Sequence, residues 1–450
     1  MTNLTFARAR PVGRVRAPLL ALMLAAALPL SPSPAAAQTS PALIDAIEGA
    51  DASSREIRAF YRSRAFEPLW IRDGMIGPEA ATLLTLIETA ELDGLNPDNY
   101  RPNTLAKALD RALDGSPRDL AKAEMLLSRA FVALARDMQR PREVGMLYND
   151  AELAARRMEA DALLNQAVLA PSLRQHLETI GWMNPVYARL RNAAAAEYSG
   201  DSPEADLRLV RLNLDRARAL PTDMGRRYVL VDAAAARLWM YEDGRVAGSM
   251  KVVVGRPDQQ TPMMAALIRY ASVNPYWNVP PDLVAERIAP NVLQEGAPYL
   301  KTKGYQVLSD WSDDAKVVPA DQVDWNAAAS SAVQLRVRQL PGPSNAMGRV
   351  KFMFPNKLGI YLHDTPQKTL LKEETRMFSA GCVRLEDAPR LARWLFGKPV
   401  PMGTGKPERR VDLPEPVPVY ITYLTTGVEG GRLVLREDVY NRDGVQLASR

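Results

Sequence analysis

Cysteine, histidine and long apolar stretches are scarce in this sequence, and each scarcity excludes a kind of structure or site. Its 450 residues contain one cysteine, two histidines and, after an N-terminal apolar run, no second long apolar stretch. One cysteine cannot close an intramolecular disulfide, and so few soft ligands, with no HExxH or CxxC motif, argue against a metal site. The lack of a further apolar stretch predicts no membrane span in the rest of the chain.

The N-terminus is typical of an export signal. Four arginines between residues 8 and 16 precede any acidic residue, and the apolar run Ala17–Leu30 is too short for a comfortable membrane span. Ala35-Ala36-Ala37 fits cleavage before Gln38. We therefore predict that residues 1–37 are a signal peptide and that the mature protein is exported; an uncleaved anchor is the alternative.

Removing this segment changes the charge balance. The chain has 57 basic and 52 acidic residues, and the segment holds four of the former, so the mature chain has 53 against 52 (57 − 4 = 53), a net charge of +1. Nucleic-acid binding needs clustered basic residues on the folded part, and the composition does not predict it. The remaining 413 residues (450 − 37) are enough for two or three domains.

Up to about residue 225 the pattern is helical. Ser116–Arg140 predicts a long helix, with Ser116 as N-cap, Pro117 at the first helical position and Asp119 in the first turn. Its apolar residues recur at helical spacing along one face. Further helices are predicted at Ala42–Phe60, Pro78–Leu92, Ala151–Leu169 and Asp206–Ala219.

After residue 225 the pattern predicts strands. Arg226–Asp232 reads as one strand, and Ala236–Gly255 as a hairpin that turns at Asp243-Gly244. Val417–Thr425 and Gly431–Glu437 are later strands. The stretch Ile288–Ala346 is rich in turn residues and is expected to be an insertion that covers a site.

The single cysteine, Cys382, lies in the sequence FSAGCVRLED. It can be a buried packing residue, a metal ligand, half of an interchain disulfide or a nucleophile. A free thiol without a function is easily oxidised in an oxidising compartment and would be readily lost, which favours the role of nucleophile. The nearby His363 would be its base, and the Gly381-Cys382 backbone would offer N–H groups to an oxyanion. Isolated Cys and His residues are often structural, as we expect for His176, so both interpretations stay open from the residues alone.

YLHDTP and SAGCVR together resemble the active-site signature of the YkuD-type L,D-transpeptidases, in which a histidine, a spacer of similar length and Ser/Thr-x-Gly-Cys precede a hydrophobic residue and Arg or Asn. YVLVDAAAARLWMYEDG, VVVGRPDQQTP and NPYWNVP are similar to the opening strands of the larger, periplasmic subgroup. AFEPLWIRDG and AELDGLNPDNY resemble its helical scaffold, and the resemblance covers residues 55–445. One departure is Ala380, where many members have His or Ser.

The resemblance implies an α+β fold. An N-terminal all-helical scaffold domain is expected over residues 38–225, and a C-terminal β-rich YkuD-type catalytic domain over 226–445. The insertion at 288–346 would cap the catalytic domain.

The resemblance also implies a peptidoglycan cross-linking enzyme of the periplasm, with roles in cell-wall biogenesis and cell shape and with sensitivity to carbapenems. Its partners would be a donor tetrapeptide stem and an acceptor stem, with no metal, organic cofactor or nucleic acid. The residues carried over are Cys382 as acylated nucleophile, His363 as base, Gly381 and Tyr361 at the oxyanion, Ser379 and Arg384 as residues that shape the site, and Trp277 and Asn278 as lining of a substrate groove, where core or turn roles are equally open.

Two alternatives accompany this reading. The same acyl-enzyme would act as an L,D-carboxypeptidase if water resolved it, or as an amine-exchange enzyme if the amine came from a free D-amino acid, a protein lysine or the first residue of an acceptor stem. A chain that kept only the fold would be a non-catalytic wall-binding scaffold protein.

Overall fold

The computed structural model describes residues 39–51, 54–198, 204–403 and 405–449. The signal peptide predicted for residues 1–37 lies outside the described residues and stays a prediction. From Thr39 on, the described chain forms one compact unit. Within these ranges, no helix combines the length and the apolar character that crossing a bilayer requires.

The first part of the described chain is mainly helical, as predicted. Its helices are α1 (Pro41–Gly49), α2 (Arg55–Ser63), α3 (Glu79–Glu88), α4 (Pro102–Ala112), α5 (Pro117–Met138), α6 (Ala160–Leu169), α7 (Leu173–Glu178), α8 (Pro185–Glu197) and α9 (Glu204–Arg218). The region is not all-helical, because it also contains three short strands: β1 (Ile71–Arg72), β2 (Met75–Ile76) and β3 (Leu147–Tyr148).

Helix α5 confirms the sequence prediction in detail. Pro117 opens the helix, and Ser116 Oγ accepts a hydrogen bond from the Asp119 N–H at 3.2 Å. The side chains of Leu120, Leu127 and other apolar residues on one face are buried. The capping hydroxyl satisfies an N–H that the helix itself cannot pair, which fixes where the helix begins.

Three predicted helices are shorter than expected. The α-helix predicted at Pro78–Leu92 ends at Glu88 and is followed by a 3₁₀ turn at Ala90–Asp93. Ala42–Phe60 was expected to be continuous, but α1 ends at Gly49, and Ser54 caps the separate helix α2 by accepting from the Ile57 N–H at 3.4 Å. In Ala151–Leu169 the α-helix begins only at Ala160, after a single 3₁₀ turn. The serine at position 54 favours a helix start over a helix interior, which separates α2 from α1.

The helices bury an apolar core that continues onto the sheet of the second part. The rings of Trp70 and Trp182 pack edge to face on Phe131, with centroids 6.1 and 5.1 Å apart. The same cluster includes Tyr228 and Tyr420 from the sheet. Fully burying one such side chain contributes about 2–3 kcal/mol, so this shared core holds the helical region against the sheet.

The second part contains the remaining strands and helices. Its strands are β4 (Arg227–Asp232), β5 (Arg237–Glu242), β6 (Arg245–Gly255), β7 (Met264–Val273), β8 (Trp277–Val279), β9 (Tyr305–Leu308), β10 (Val317–Val318), β11 (Arg336–Gln339), β12 (Val350–Met353), β13 (Leu362–His363), β14 (Met377–Ser379), β15 (Val383–Leu385), β16 (Arg409–Thr422), β17 (Thr426–Glu429) and β18 (Arg432–Leu435). Its helices are α10 (Pro281–Leu283), α11 (Ala289–Glu295), α12 (Pro298–Lys303), α13 (Trp325–Ala329), α14 (Ala388–Phe396) and α15 (Arg442–Ala448), with a π-helical turn at Val284–Ile288.

The predicted hairpin is confirmed as β5 and β6. Asp243 (φ 49°) and Gly244 (φ 73°) form its turn, both with positive φ, as the tight turns that match strand twist require. The β-rich character predicted after residue 225 is therefore correct, and β4, β16 and β18 account for the other predicted strands.

The large sheet positions the site. Its strands run in the order β12-β13-β15-β6-β5-β4-β16-β7-β3. Strand β12 also pairs with β7, so the strand pairings from β12 to β7 form a closed ring. The interior is filled by apolar side chains such as Val252, Ile268, Phe352 and Leu362. Next to this core, β13 and β15 run parallel to each other and carry His363 and the residues that follow Cys382.

A smaller sheet forms a separate layer, which we call the cap (residues 277–339). Its strand order is β10-β9-β11-β8, and helices α10–α13 pack on it around a core of its own that includes Val307, Trp325 and Val337. The insertion predicted for Ile288–Ala346 overlaps this layer, although the sheet of the cap already begins at Trp277. The domain limits stay predictions.

Candidate active site

Residues predicted from the sequence meet at one cavity between the large sheet and the cap. The cavity has a volume of about 260 Å³. Its lining includes Cys382, His363, Tyr361, Ser379, Arg384, Trp277 and Asn278. The eighth predicted residue, Gly381, does not line the cavity but precedes Cys382 in the turn between β14 and β15.

Adjacent parallel strands bring His363 and Cys382 to the same face of the sheet. Strands β13 and β15 pair with Leu362 opposite Val383 and His363 opposite Arg384. Cys382 directly precedes β15, and alternate residues share a face, so Cys382, His363 and Arg384 project from one side. Diagonal neighbours on paired strands lie about 7–8 Å apart, which long side chains can bridge.

His363 is held in the tautomer that leaves a free base. It is only 1% exposed, and its Nδ1 lies 2.6 Å from the carbonyl oxygen of Asp364. Since a carbonyl only accepts hydrogen bonds, Nδ1 carries the proton and Nε2 keeps its lone pair. Burial lowers the pKa of His363 to about 3, and the positive charge of Arg384 acts in the same direction. The imidazole is therefore neutral at physiological pH and can take up a proton.

The Cys382 thiol rests in its protonated form. It is half-buried, and its Sγ donates to the carbonyl oxygen of Gly359 at 3.5 Å. Burial raises the pKa of the thiol, although the backbone of Tyr361 and the charges of Arg384 and Lys351 act in the opposite direction. Thiol and imidazole are thus both neutral at rest.

The backbone at Gly381 and Cys382 offers two N–H groups for an oxyanion. Neither of them donates to an acceptor among the residues that the structure describes. Gly381 has φ +99°, which favours glycine, and a Cβ there would lie 3.1 Å from Ile360 Cδ1. Unpaired backbone N–H groups are rare inside proteins, and beside a nucleophile they can stabilise a developing negative charge.

Two buried hydroxyls hold the carbonyl groups of the same turn. Ser379 Oγ donates to the Cys382 carbonyl at 2.5 Å. Thr261 Oγ1 donates to the Gly381 carbonyl at 2.8 Å and accepts from the Gly255 N–H at 2.9 Å. These contacts fix the peptide planes on either side of Cys382, so Ser379 and Thr261 act as positioning residues.

The C-terminal segment forms hydrogen bonds with the segment that contains Thr261. The Tyr440 hydroxyl donates to the Gly255 carbonyl at 2.7 Å. Arg442 Nη2 donates to the Thr261 carbonyl at 2.9 Å, and its Nε donates to Gln260 Oε1 at 2.8 Å. The turn that carries Cys382 is therefore braced by residues far from it in sequence.

Substituting Thr261 with valine tests this bracing. Valine matches the shape of threonine but leaves the Gly381 carbonyl and the Gly255 N–H without their hydroxyl partner. We expect the acylation rate of Cys382 to fall about tenfold or more, because small displacements of reacting groups are costly. Mass spectrometry of the adduct over time measures the rate. Thr261→Ser keeps the hydroxyl and should restore it; a valine variant that acylates at the wild-type rate would refute the bracing.

Two family models match the chain along these two regions. Residues 55–193 match a scaffold domain, and residues 226–421 match an L,D-transpeptidase catalytic domain, YkuD. The chain carries the catalytic domain of a YkuD-type L,D-transpeptidase. The resemblance given by the histidine and cysteine motifs is thereby confirmed at the level of the family.

Known proteins similar to the chain carry the same family name. A Haemophilus influenzae protein named "Putative L,D-transpeptidase" is 26% identical over 397 residues, which are 85% of this chain and 77% of that protein. An L,D-transpeptidase from Mycobacterium smegmatis is 14% identical over 44% of this chain and 58% of that one, with a TM-score of 0.22. The catalytic domain of an Enterococcus faecium L,D-transpeptidase is 15% identical over 43% of this chain and 95% of that domain, with a TM-score of 0.18. At such TM-scores the solved structures add no argument about the site.

The cavity also contains residues that the sequence motifs did not reveal. Lys351 pairs with His363 across β12 and β13, and Arg287 comes from the π-helical turn of the cap. No local pattern marks either residue, since only the strand register and the placement of the cap bring them here. Across the described ranges, no three His, Cys, Asp or Glu side chains are grouped as metal ligands.

The two groove residues predicted from NPYWNVP lie where β8 meets the cavity. Trp277 lines the cavity, but its ring also lies 6.3 Å from that of Tyr305 and packs on the core of the cap. Asn278 is exposed and pairs with Arg338 across β8 and β11. Trp277 therefore lies both at the cavity and against the core of the cap.

The pH dependence of Cys382 alkylation tests whether the Cys382 thiol and the His363 imidazole are both neutral at rest. Because burial raises the pKa of the thiol, we expect its reaction with iodoacetamide to quicken about tenfold per pH unit from pH 6 to 8, with a midpoint above the value of about 8.5 for free cysteine. Cys382 is the only cysteine, so the total labelling rate reports on it alone. A plateau below pH 7 would reveal a preformed thiolate–imidazolium pair and contradict this view.

Proposed function

We propose that this protein is a peptidoglycan L,D-transpeptidase that cross-links stem peptides through an acyl-enzyme on Cys382. The observation that supports this most is the shared face of Cys382 and neutral His363 on neighbouring parallel strands. The unpaired N–H groups of Gly381 and Cys382 beside them add the third element that acyl transfer needs.

In the first half-reaction, Cys382 Sγ attacks the carbonyl carbon of the third residue of a donor tetrapeptide, a diamino acid at its L-centre. The thiol proton passes to His363 Nε2. The carbonyl oxygen becomes an oxyanion that accepts hydrogen bonds from the backbone N–H groups of Gly381 and Cys382, with the Tyr361 hydroxyl nearby. The C–N bond to the terminal D-alanine then breaks, and His363 returns the proton to the leaving amine, which leaves a thioester.

In the second half-reaction, an amine of an acceptor stem attacks the thioester carbonyl. His363 takes a proton from this amine, the C–S bond breaks, and Cys382 regains a proton. The product is a 3→3 cross-link when the acceptor is the side-chain amine of the diamino acid. Arg384, with its guanidinium at the cavity, would orient a carboxylate of the substrate.

Location and organisation belong to the same proposal. The substrate lies in the cell wall, so we propose that the chain is exported to the periplasm and that its signal is cleaved after Ala37. The helical scaffold at 38–225 would then present the catalytic domain at 226–445, with the cap over the cavity.

Incubation of the mature protein with purified tetrapeptide muropeptides tests this function. The expected products are cross-linked dimers and free D-alanine, resolved by liquid chromatography and mass spectrometry. Monomeric tripeptide with D-alanine and no dimer would replace the transpeptidase with a carboxypeptidase. No D-alanine release, from protein whose thiol is shown to be free, would leave the non-catalytic wall-binding alternative.

A further inference from the structure

The cavity beside Cys382 is cationic. Lys351, Arg287 and Arg384 line it, and none of its lining residues in the described chain is an Asp or Glu. Like charges that face one partly buried space repel each other, because water screens them less there than on an open surface. Such an arrangement is best suited to an anionic ligand.

Two of these three cations already have protein partners. Lys351 Nζ lies 3.0 Å from Glu408 Oε1 and 5.9 Å from the centroid of the Tyr361 ring. Arg384 Nη1 donates to Gln367 Oε1 at 2.8 Å, a neutral partner that leaves the guanidinium charge uncompensated. The charge that remains for a ligand is therefore concentrated on the arginines.

Arg287 is the cavity cation that forms neither a hydrogen bond nor an ion pair within the described residues, although its charge also acts on Asp258 and Tyr305. It belongs to the π-helical turn Val284–Ile288 of the cap, and its side chain makes no hydrogen bond or ion pair with any residue that the structure describes. Burial lowers the pKa of Arg384, and the charge of Arg287 lowers it further. The two guanidinium groups therefore repel each other electrostatically across the cavity. One of them comes from the cap and the other from the strand that follows the nucleophile.

We propose that Arg287 and Arg384 together bind a free carboxylate of the donor stem peptide, an inference that rests on the proposed function. A guanidinium group presents a planar pair of N–H donors that matches the two oxygens of a carboxylate. A carboxylate between the two arginines removes their mutual repulsion and links the cap to the large sheet. Arg287 thereby selects donors, whereas Cys382 and His363 carry out the chemistry.

A donor stem has two carboxylates that fit this chemistry. The first is at the end of the diamino acid's side chain, in stems whose diamino acid carries a second amino and carboxyl group there. The second is the C-terminal carboxylate of the terminal D-alanine. A stem in which only one of them is converted to an amide separates the two sources. The experiment therefore uses three donors: the unmodified stem, the stem with the side-chain amide and the stem that ends in D-alaninamide.

Steady-state release of the fourth residue is measured with each donor for wild type, Arg287→Gln and Arg336→Gln. We expect Arg287→Gln to raise KM for the unmodified donor about tenfold and to change kcat less than about twofold, because the lost contact is a charge-assisted hydrogen bond made before the chemical step. Wild type should show the same increase in KM with one of the two amides, and Arg287→Gln should have no further effect on that donor. Arg287→Lys should recover part of the loss.

Arg336→Gln is the matched control. Arg336 belongs to strand β11 of the same cap, but its guanidinium donates to the carbonyls of Asp310 and Ser312 and does not line the cavity. Its loss removes the same charge, and KM should stay at the wild-type value. An equal rise in KM for this variant would indicate general electrostatic attraction and overturn the assigned site.

The other outcomes are equally distinct. An active wild type that uses all three donors with one KM, or an Arg287→Gln variant with an unchanged KM, overturns this inference and leaves the proposed function intact. A wild type that releases no D-alanine from the unmodified donor refutes the proposed function itself.

Discussion

Replacing Cys382 with alanine is expected to abolish release of D-alanine from a tetrapeptide muropeptide, with a rate at least about 10⁴-fold below that of wild type. The chain has no other cysteine, and the neighbouring Ser379 hydroxyl is engaged with the Cys382 carbonyl, so no second nucleophile is at hand. Chromatographic quantification of D-alanine over time measures this loss. Cys382→Ser should be nearly as inactive, since a hydroxyl is a far weaker nucleophile than a thiolate.

The fold should survive this change. The Cys382 side chain is half-buried, and its thiol donates one weak hydrogen bond, to the Gly359 carbonyl. The melting temperatures of variant and wild type should therefore agree within about 5 °C. D-alanine release by a well-folded alanine variant at more than a few per cent of the wild-type rate would show that another group performs the attack.

Replacing His363 with asparagine is expected to slow carbapenem acylation of Cys382 about 10²- to 10⁴-fold at pH 7, the range typical of a lost general base. Asparagine can still donate to the Asp364 carbonyl as Nδ1 does, but it has no counterpart of the basic Nε2. The adduct is followed by intact-mass spectrometry. Because burial raises the pKa of Cys382, the gap between variant and wild type should narrow only at alkaline pH, where the thiolate forms without help.

His176 provides the matched control for this substitution. It is the other histidine of the chain, lies in α7 and packs against Phe131 and Trp182 in the helical core. His176→Asn makes the same chemical change far from the cavity and should leave the acylation rate unchanged. Equal slowing in both variants would point to a general loss of structure and not to a base at position 363.

The sequence predicted those elements that local residues determine. Ser116 and Pro117 mark the start of α5, and Asp243-Gly244 marks the hairpin turn, because capping and turn conformations depend on a few adjacent residues. The short spacing between His363 and Cys382 predicts that the two lie on adjacent elements, and β13 and β15 are neighbouring strands. In each case the information lies within about twenty residues.

Contacts between distant segments could not be predicted in the same way. Thr261 reaches the Gly381 carbonyl across 120 residues, and Arg442 reaches Thr261 across 181. Arg287 and Arg384 line the same cavity only because the cap packs over the sheet. No periodicity or turn pattern encodes such meetings, which depend on strand register and on the packing of whole layers.

These distant contacts give the site two kinds of support. The C-terminal segment fixes the turn that carries Cys382, and it lies beyond the residues 226–421 that match the catalytic-domain family. The cap supplies Arg287 and part of the cavity wall. The proposed nucleophile and base lie within the residues that match the family, whereas the proposed bracing and donor selection also depend on the C-terminal segment and the cap.

The central claim is that Cys382 becomes covalently acylated, and intact-mass spectrometry of the mature protein after incubation with a carbapenem tests it most directly. We expect one adduct per chain, with the added mass located by peptide mapping on the fragment that contains Cys382. An unchanged mass, in a sample whose thiol still reacts fully with iodoacetamide, would contradict the account.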